Sequence, residues 1–550
     1  MVRQPLRDAN VDSRSELSMS AARWTAPTTC AILIAMLLSA IFGERHRQIP
    51  RTTPLKPMSS LHLDQHPAGQ PIVTELPVIP AGSLLIVGSL DRSARSHTIT
   101  IELRCDAHPT AVHSSPDGFA PPTVDVRRIS EAELHLSHCA GIRVGRNCAS
   151  GDQVASVADV DVAESCENVV RRFAVPVLTA GHGSHRIAEG RLVAQGQRLQ
   201  VFSAVTAEAP TSRLRMTQLA AAIVHECETR LLPFLESNYA QLRDIDGDGM
   251  LCVVLCDLQP AGLSERGNNT EPVLGCVRRS DFFLPNADFG GDIVYLDESL
   301  RDGDDLSEIL THELAHVVTF SQLAERGSVG LTETSLGVPD WLNEAISHHF
   351  ERRTGSDGRN LVSRAAAFAK TPHRFPIVIP NAPKFSAYGR GGCRAAGVSF
   401  LESVLSSVPG EARVATLLDA QGDAIESLES LADRQFPDLF RNWTIELLAG
   451  RICSDTVLCA KPAISPAPEN AWLRNSSRDE AECCIQLQEI HPNRPVSIEI
   501  AGTAAAFFEP TTQQGSLIVT GPAESQLQIS IVAASRTTTC SATNETLDSN

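Results

Sequence analysis

The chain has 550 residues, a formal net charge of −18 and only 5% aromatic residues. Such a length can hold about three domains with well-buried cores. The negative excess argues against nucleic acid or an anionic membrane surface as a partner.

The first 43 residues read as a targeting segment. The apolar run AILIAMLLSAIF at 31–42 follows Arg23 and precedes Glu44, Arg45, His46 and Arg47. It is short for a membrane-spanning helix and suits the core of a signal peptide. A start at Met19 would leave a short leader, with cleavage near Ala40 or Gly43; an uncleaved signal anchor is the alternative. Cysteine usage agrees with export: setting Cys30 aside, fourteen of the fifteen cysteines remain, an even number with no CxxC pair. That pattern favours disulfides in an oxidising compartment over a metal finger. The expected location is therefore secreted or extracytoplasmic, with any membrane attachment confined to a retained anchor.

Residues 44–80 are Pro-, His- and polar-rich and read as a linker. Short alternating runs at 83–87, 97–103, 191–194 and 199–202 predict a β-rich domain over 81–205. From about 212 to 242 the period becomes helical, with Leu214, Leu219, Ile223, Leu231 and Leu235 on one face. This opens a domain predicted to run over 206–455. Asp244, Asp246 and Asp248 with Gly249 then match the first half of a calcium loop, D-x-D-x-D-G. The second half fails, because the twelfth position is Leu255; Asp257 is a substitute by another path. Two readings stay open here, a structural calcium site and a solvated acidic turn. Apolar runs at 251–255 and 293–296 predict strands, the second either an edge strand able to pair with an extended peptide or an ordinary buried one.

Residues 312–316 read His-Glu-Leu-Ala-His. Acidic residues and Ser307 lead in as helix-start signals, Leu310, Leu314, Val317 and Val318 supply an apolar stripe, and Gly327 is a stop. On a helix, His312 and His316 share a face and can bind one metal ion, with Glu313 placed to take a proton from a metal-bound water. A second helix is predicted from Pro339-Asp340-Trp341, and its Glu344 can complete a His/His/Glu set that suits zinc best among divalent ions. Taken singly, each of these residues reads better as an ordinary polar group, the histidines on a half-buried helix and Glu344 on the surface; the combination carries the zinc reading. The three-histidine pattern HExxHxxGxxH is excluded, because Thr319 and Gln322 stand at its last two positions. Beyond this domain, residues 398–448 predict amphipathic helices, 456–538 a small β-rich domain, and 539–550 a disordered tail.

HExxH with a later Glu resembles the gluzincin metallopeptidases. Asn343-Glu344-Ala345-Ile346-Ser347 is similar to their NExxS stretch, although His348 stands where they carry an Asp that orients a ligand histidine. That carboxylate must come from elsewhere, and Glu308 and Glu351 are the candidates. The order DIDGDG, Ser280-Asp281-Phe282-Phe283, the YLD strand at 295–297, HExxH, Trp341-Leu342-Asn343-Glu344-Ala345 and Tyr388-Gly389 resembles the hyicolysin family over about 210–450. The resemblance implies an α+β fold: a gluzincin-like catalytic domain, mixed sheet plus helical half with zinc in the cleft, flanked by N- and C-terminal β-rich domains. It also implies a zinc endopeptidase acting on protein or peptide, with His312, His316 and Glu344 on the metal and Glu313 as general base and then proton donor. Tyr388 is the first candidate for stabilising the oxyanion, ahead of His348 and His349. No GxMEN-like motif precedes His312, which ranks an aminopeptidase lower. The rival class is a non-catalytic, adhesin-type secreted or surface protein with a peptidase-like domain.

Overall fold

The computed structural model describes residues 57–63, 72–76, 83–93, 95–105, 140–141, 169–176, 185–204, 210–258, 273–283, 290–327, 338–354, 359–379, 391–408, 414–418, 423–455, 485–512 and 515–533. Residues 1–53, with the expected signal segment, and the 539–550 tail lie outside this set. No helix among the described residues is long and apolar enough to cross a membrane. The class is α+β.

Two β assemblies flank a helical layer. The first is a mixed seven-stranded sheet in the order β5-β10-β11-β9-β8-β7-β6. Its strands are β5 (Ala140–Gly141), β6 (Val170–Pro176), β7 (His185–Gln195), β8 (Leu199–Ser203), β9 (Leu251–Cys256), β10 (Val273–Val277) and β11 (Ile293–Asp297). β8, β9 and β11 run parallel, and β10 is antiparallel to β11. The unbroken apolar sequence of β9 follows from burial on both faces. On β9, Leu251, Val253 and Leu255 enter the core shared with the helices, while Cys252, Val254 and Cys256 pack on the far side with Phe173, Phe202 and Tyr295. β11 is flanked by β9 and β10, so the edge-strand reading of 293–296 is corrected to that of an interior strand, its backbone groups taken on both sides.

The second assembly is a sandwich of two sheets, β1-β16-β3-β14-β12 and β13-β4-β15-β2. Its N-terminal members are β1 (Pro57–Leu63), β2 (Ile72–Leu76), β3 (Ser83–Ser89) and β4 (Ser96–Arg104). Its later members are β12 (Gln488–Ile490), β13 (Val496–Ala501), β14 (Ala505–Pro510), β15 (Ser516–Gly521) and β16 (Leu527–Ala533). β16 pairs with β1 and β3, and β15 with β2 and β4. This differs from the expected arrangement of separate β-rich domains at 81–205 and 456–538. The first segment is divided, with β3 and β4 joining the late strands and β6 to β8 joining the seven-stranded sheet. The segment expected as a linker, 44–80, supplies β1 and β2. The cause lies in the side chains: β4 buries only alternate residues (His97, Ile99, Ile101, Leu103), as a strand facing one core does. β3 is buried throughout, with Leu85 and Val87 turned into the sandwich and Leu84 and Ile86 turned into the helical core.

The helical layer contains α1 (Pro210–Glu226), continued by a π turn at Cys227–Leu231 into α2 (Leu232–Asn238), and α3 (Arg279–Phe283). Then come α4 (Asp304–Gly327), α5 (Asp340–Arg353), α6 (Arg359–Lys370) and α7 (Gly391–Ser406). It ends with α8 (Ala415–Leu418), α9 (Ala424–Ala432) and α10 (Phe436–Asp455). α4 and α5 are the innermost, buried all round over most of their length. No disulfide joins two of the described cysteines, and Cys227, Cys252 and Cys256 are buried thiols. Cys252 and Cys256 share a strand face about 13 Å apart at the usual rise, beyond the span of a disulfide.

Candidate metal centre

α4 ends at Gly327, as its sequence predicts, and α5 begins at Asp340 after the extended Pro339. The two helices pack side by side, which brings Glu344 against the His312–His316 face. The Nε2 atoms of these histidines lie 3.2 Å apart. Glu344 Oε2 is 3.5 Å from His312 Nε2, and Oε1 is 3.8 Å from His316 Nε2. All three side chains are buried. Donors held 2.0–2.2 Å from a tetrahedral ion stand about 3.3 to 3.6 Å apart; the separations here, 3.2, 3.5 and 3.8 Å, bracket that range, so the residues present fit a zinc ion after shifts of a few tenths of an ångström.

The other ring nitrogens point the same way. His312 Nδ1 lies 3.2 Å from Glu351 Oε2, an acceptor that requires the proton on Nδ1. His316 Nδ1 lies 3.0 Å from Ser347 Oγ. Deprotonated at Nε2, the two histidines would turn two lone pairs toward each other beside a carboxylate, a donor set that a cation satisfies. Of the two carboxylates expected to orient a histidine, Glu351 is the one in contact with His312; Glu308 instead accepts the backbone N–H of Asn360 at 3.4 Å. Glu351 Oε2 also takes His348 Nδ1 at 2.8 Å and Asn360 Nδ2 at 3.1 Å. Burial would raise this carboxyl, but His348 and His312 hold it well below the carboxylate range.

Glu313 is buried beside the site with its side chain against Gly275 of β10. A Cβ added at Gly275 would stand 2.8 Å from Glu313 Cγ and Oε1. Burial, reinforced by Glu344 and opposed by His312 and Arg394, lifts the Glu313 carboxyl to about 7. Burial also acts to raise Glu344, yet Arg394 and His312 hold it well below the usual range. Arg394 Nη1, on α7, lies 3.3 Å from Glu344 Oε2. For His312, burial pulls the imidazole down, but Glu344 and Glu351 outweigh it and raise it to about 9.

A second triple, His312, Glu344 and His348, also offers donor atoms within 4.8 Å of one another. Burial drives His348 down to about 3, a neutral ring whose Nδ1 is committed to Glu351. Of the oxyanion candidates, Tyr388 lies outside the described residues, and His349 Nδ1 is 3.5 Å from Glu402 of α7. His348 stands behind His312 with ring centroids 4.4 Å apart.

Sequence reasoning missed Gly275 and Arg394. The signals were a lone glycine inside an apolar strand, which marks close approach, and the single charge in the run from Gly391 to Leu401. At a distance from this centre, Asp244, Asp246 and Asp248 do come together, one oxygen of each within 4.8 Å of the others. Asp257 lies past the far end of β9 and is not among them. No protein-family model matches the chain, and no curated protein matches it.

Proposed function

We propose that the chain is an exported zinc-dependent peptidase of the gluzincin type, hydrolysing peptide bonds at the His312–His316–Glu344 centre. The observation that carries this reading is the convergence of those three donors, buried and at zinc-ligand spacing, beside the buried acid Glu313. A zinc ion held there would supply a Lewis acid that polarises the scissile carbonyl and acidifies a bound water. Glu313, with a carboxyl near neutrality, accepts the proton of the attacking water and delivers it to the leaving amide nitrogen. Glu351 fixes the tautomer and orientation of His312, and Arg394 keeps Glu344 ionised. The apolar run at 31–42 supports export, and Tyr388, 44 positions after Glu344, remains the proposed oxyanion donor.

Metal content and turnover of the full chain test this together. About one zinc per chain is expected, lost in the His312→Ala/His316→Ala double variant. Glu313→Gln should keep the zinc and lose about 10² to 10⁴ in peptidase turnover. Zinc binding with no turnover difference between wild type and Glu313→Gln would instead favour a non-catalytic surface-binding protein. Absence of zinc from folded wild type would remove the metallopeptidase reading.

A further inference from the structure

The acidic loop at 244–249 plays no part in the peptidase reading. It is wound around Asp244, whose Oδ1 accepts the Gly247 N–H at 2.7 Å and whose Oδ2 accepts the Gly249 N–H at 2.8 Å. Both glycines have positive φ, 78° and 76°. On its own this is an acidic turn on the surface. The deciding observation lies on the neighbouring strand.

β11 runs parallel to β9 with Ile293 opposite Cys252, and the Cys252 N–H donates to the Asp292 carbonyl at 3.1 Å. Asp292 therefore sits level with Leu251, immediately past the end of the loop. The preceding residue closes against the loop, since a Cβ at Gly291 would stand 2.6 Å from Asp246 Oδ2. Asp292 is only 2% exposed, and its Oδ1 has no hydrogen-bond partner among the described residues. Burial, with added repulsion from Asp246, Asp244 and Asp248, pushes its carboxyl up to about 7. Arg171 pairs with Asp246 at 3.0 Å and Asp248 at 3.5 Å, one guanidinium against four carboxylates.

We propose that Asp244, Asp246, Asp248 and Asp292 form a calcium site, in which Asp292 from the adjoining strand replaces the glutamate that closes an EF-hand loop. The twelfth loop position cannot do this, because Leu255 is buried in β9 facing the helical core. An all-oxygen, carboxylate-rich set selects a hard cation, and its flexible side chains suit calcium over the smaller, stricter magnesium. Arg171 partly neutralises the loop when the ion is absent. The proposal is independent of the zinc centre.

The test is calorimetric titration of the full chain in calcium-depleted buffer, alongside its thermal unfolding midpoint. Calcium should bind at about one equivalent and raise the midpoint by a few degrees, with magnesium well below it. Asp246→Asn and Asp292→Asn should each weaken binding at least about tenfold while zinc content stays unchanged. Should Asp246→Asn fail to fold, Asp292→Asn decides, since it leaves the Arg171–Asp246 pair and the turn hydrogen bonds to Asp244 in place. No saturable calcium binding by folded wild type, equal response to magnesium, or wild-type affinity in Asp292→Asn would overturn the proposal.

Discussion

Asp281 is a buried acid that belongs to neither set of proposed metal ligands, accepting the Tyr295 hydroxyl at 3.0 Å with Arg278 at 3.6 Å. Burial dominates and raises its carboxyl to about 7. A raised folded pKa means that the native state holds the proton longer than the unfolded chain does. The stability it contributes is complete below about pH 4 and falls as pH rises toward 7. Asp281→Asn should remove this component, on the order of 4 kcal/mol for about three pH units. Urea unfolding of both proteins at pH 5 and pH 7.5 checks it: the wild type should lose more stability between the two than the variant, and parallel losses would refute the assignment. At this scale the candidate site was legible where local spacing decides geometry. His312, Glu313 and His316 were placed by one helix's periodicity, and Glu351 was within reach because it sits two turns past Glu344 on the same helix. Arg394 was not legible, because its role depends on α7 packing across α5, which neighbouring residues do not specify.

The contact between β10 and α4 is the element-scale feature with the sharpest consequence. Gly275 lets the strand lie directly on Glu313, and Ile309 Cγ2 would also be 2.8 Å from an added Cβ. Gly275→Ala should therefore push the Glu313 carboxylate out of line while leaving the three metal-facing side chains in place. Turnover is expected to fall about 10²-fold with zinc content unchanged, since a displacement near 1 Å is enough for such a loss. Equal turnover in the variant would show that Glu313 tolerates the shift. The helices that frame the site were readable from their ends, with Gly327 closing α4 and Pro339-Asp340 opening α5. β9 and β11 were readable as strands from their apolar runs. Whether a strand is central or edge was not readable, because an unbroken apolar run reports burial on two faces and says nothing about its hydrogen-bonding neighbours.

At the scale of the whole molecule, the sandwich joins the two sides of the sequence and also packs on the helices. Gly88 of β3 lies against Phe440 of α10, and Gln528 Nε2 donates to the Pro437 carbonyl at 2.8 Å. A chain ending at residue 484 would strip β3 of both neighbours, β14 and β16, and β4 of both of its own, β13 and β15. Such a chain is expected to be insoluble or without cooperative unfolding, measured by soluble yield and calorimetry; a soluble, cooperatively unfolding product would mean that the helical half stands alone. Strand pairing at this range was invisible in the sequence, where alternation marks a strand and not its partner. The same pairing orders events during synthesis. The Ser89 hydroxyl donates to the Ser525 carbonyl across 436 positions, so β3 waits as an unpaired apolar strand while the whole helical region is translated. Such contacts carry a large loop-closure cost and form late. A newborn chain would thus assemble its helices first and close the sandwich last, with a chaperone-sized interval in which β3 is open to wrong partners.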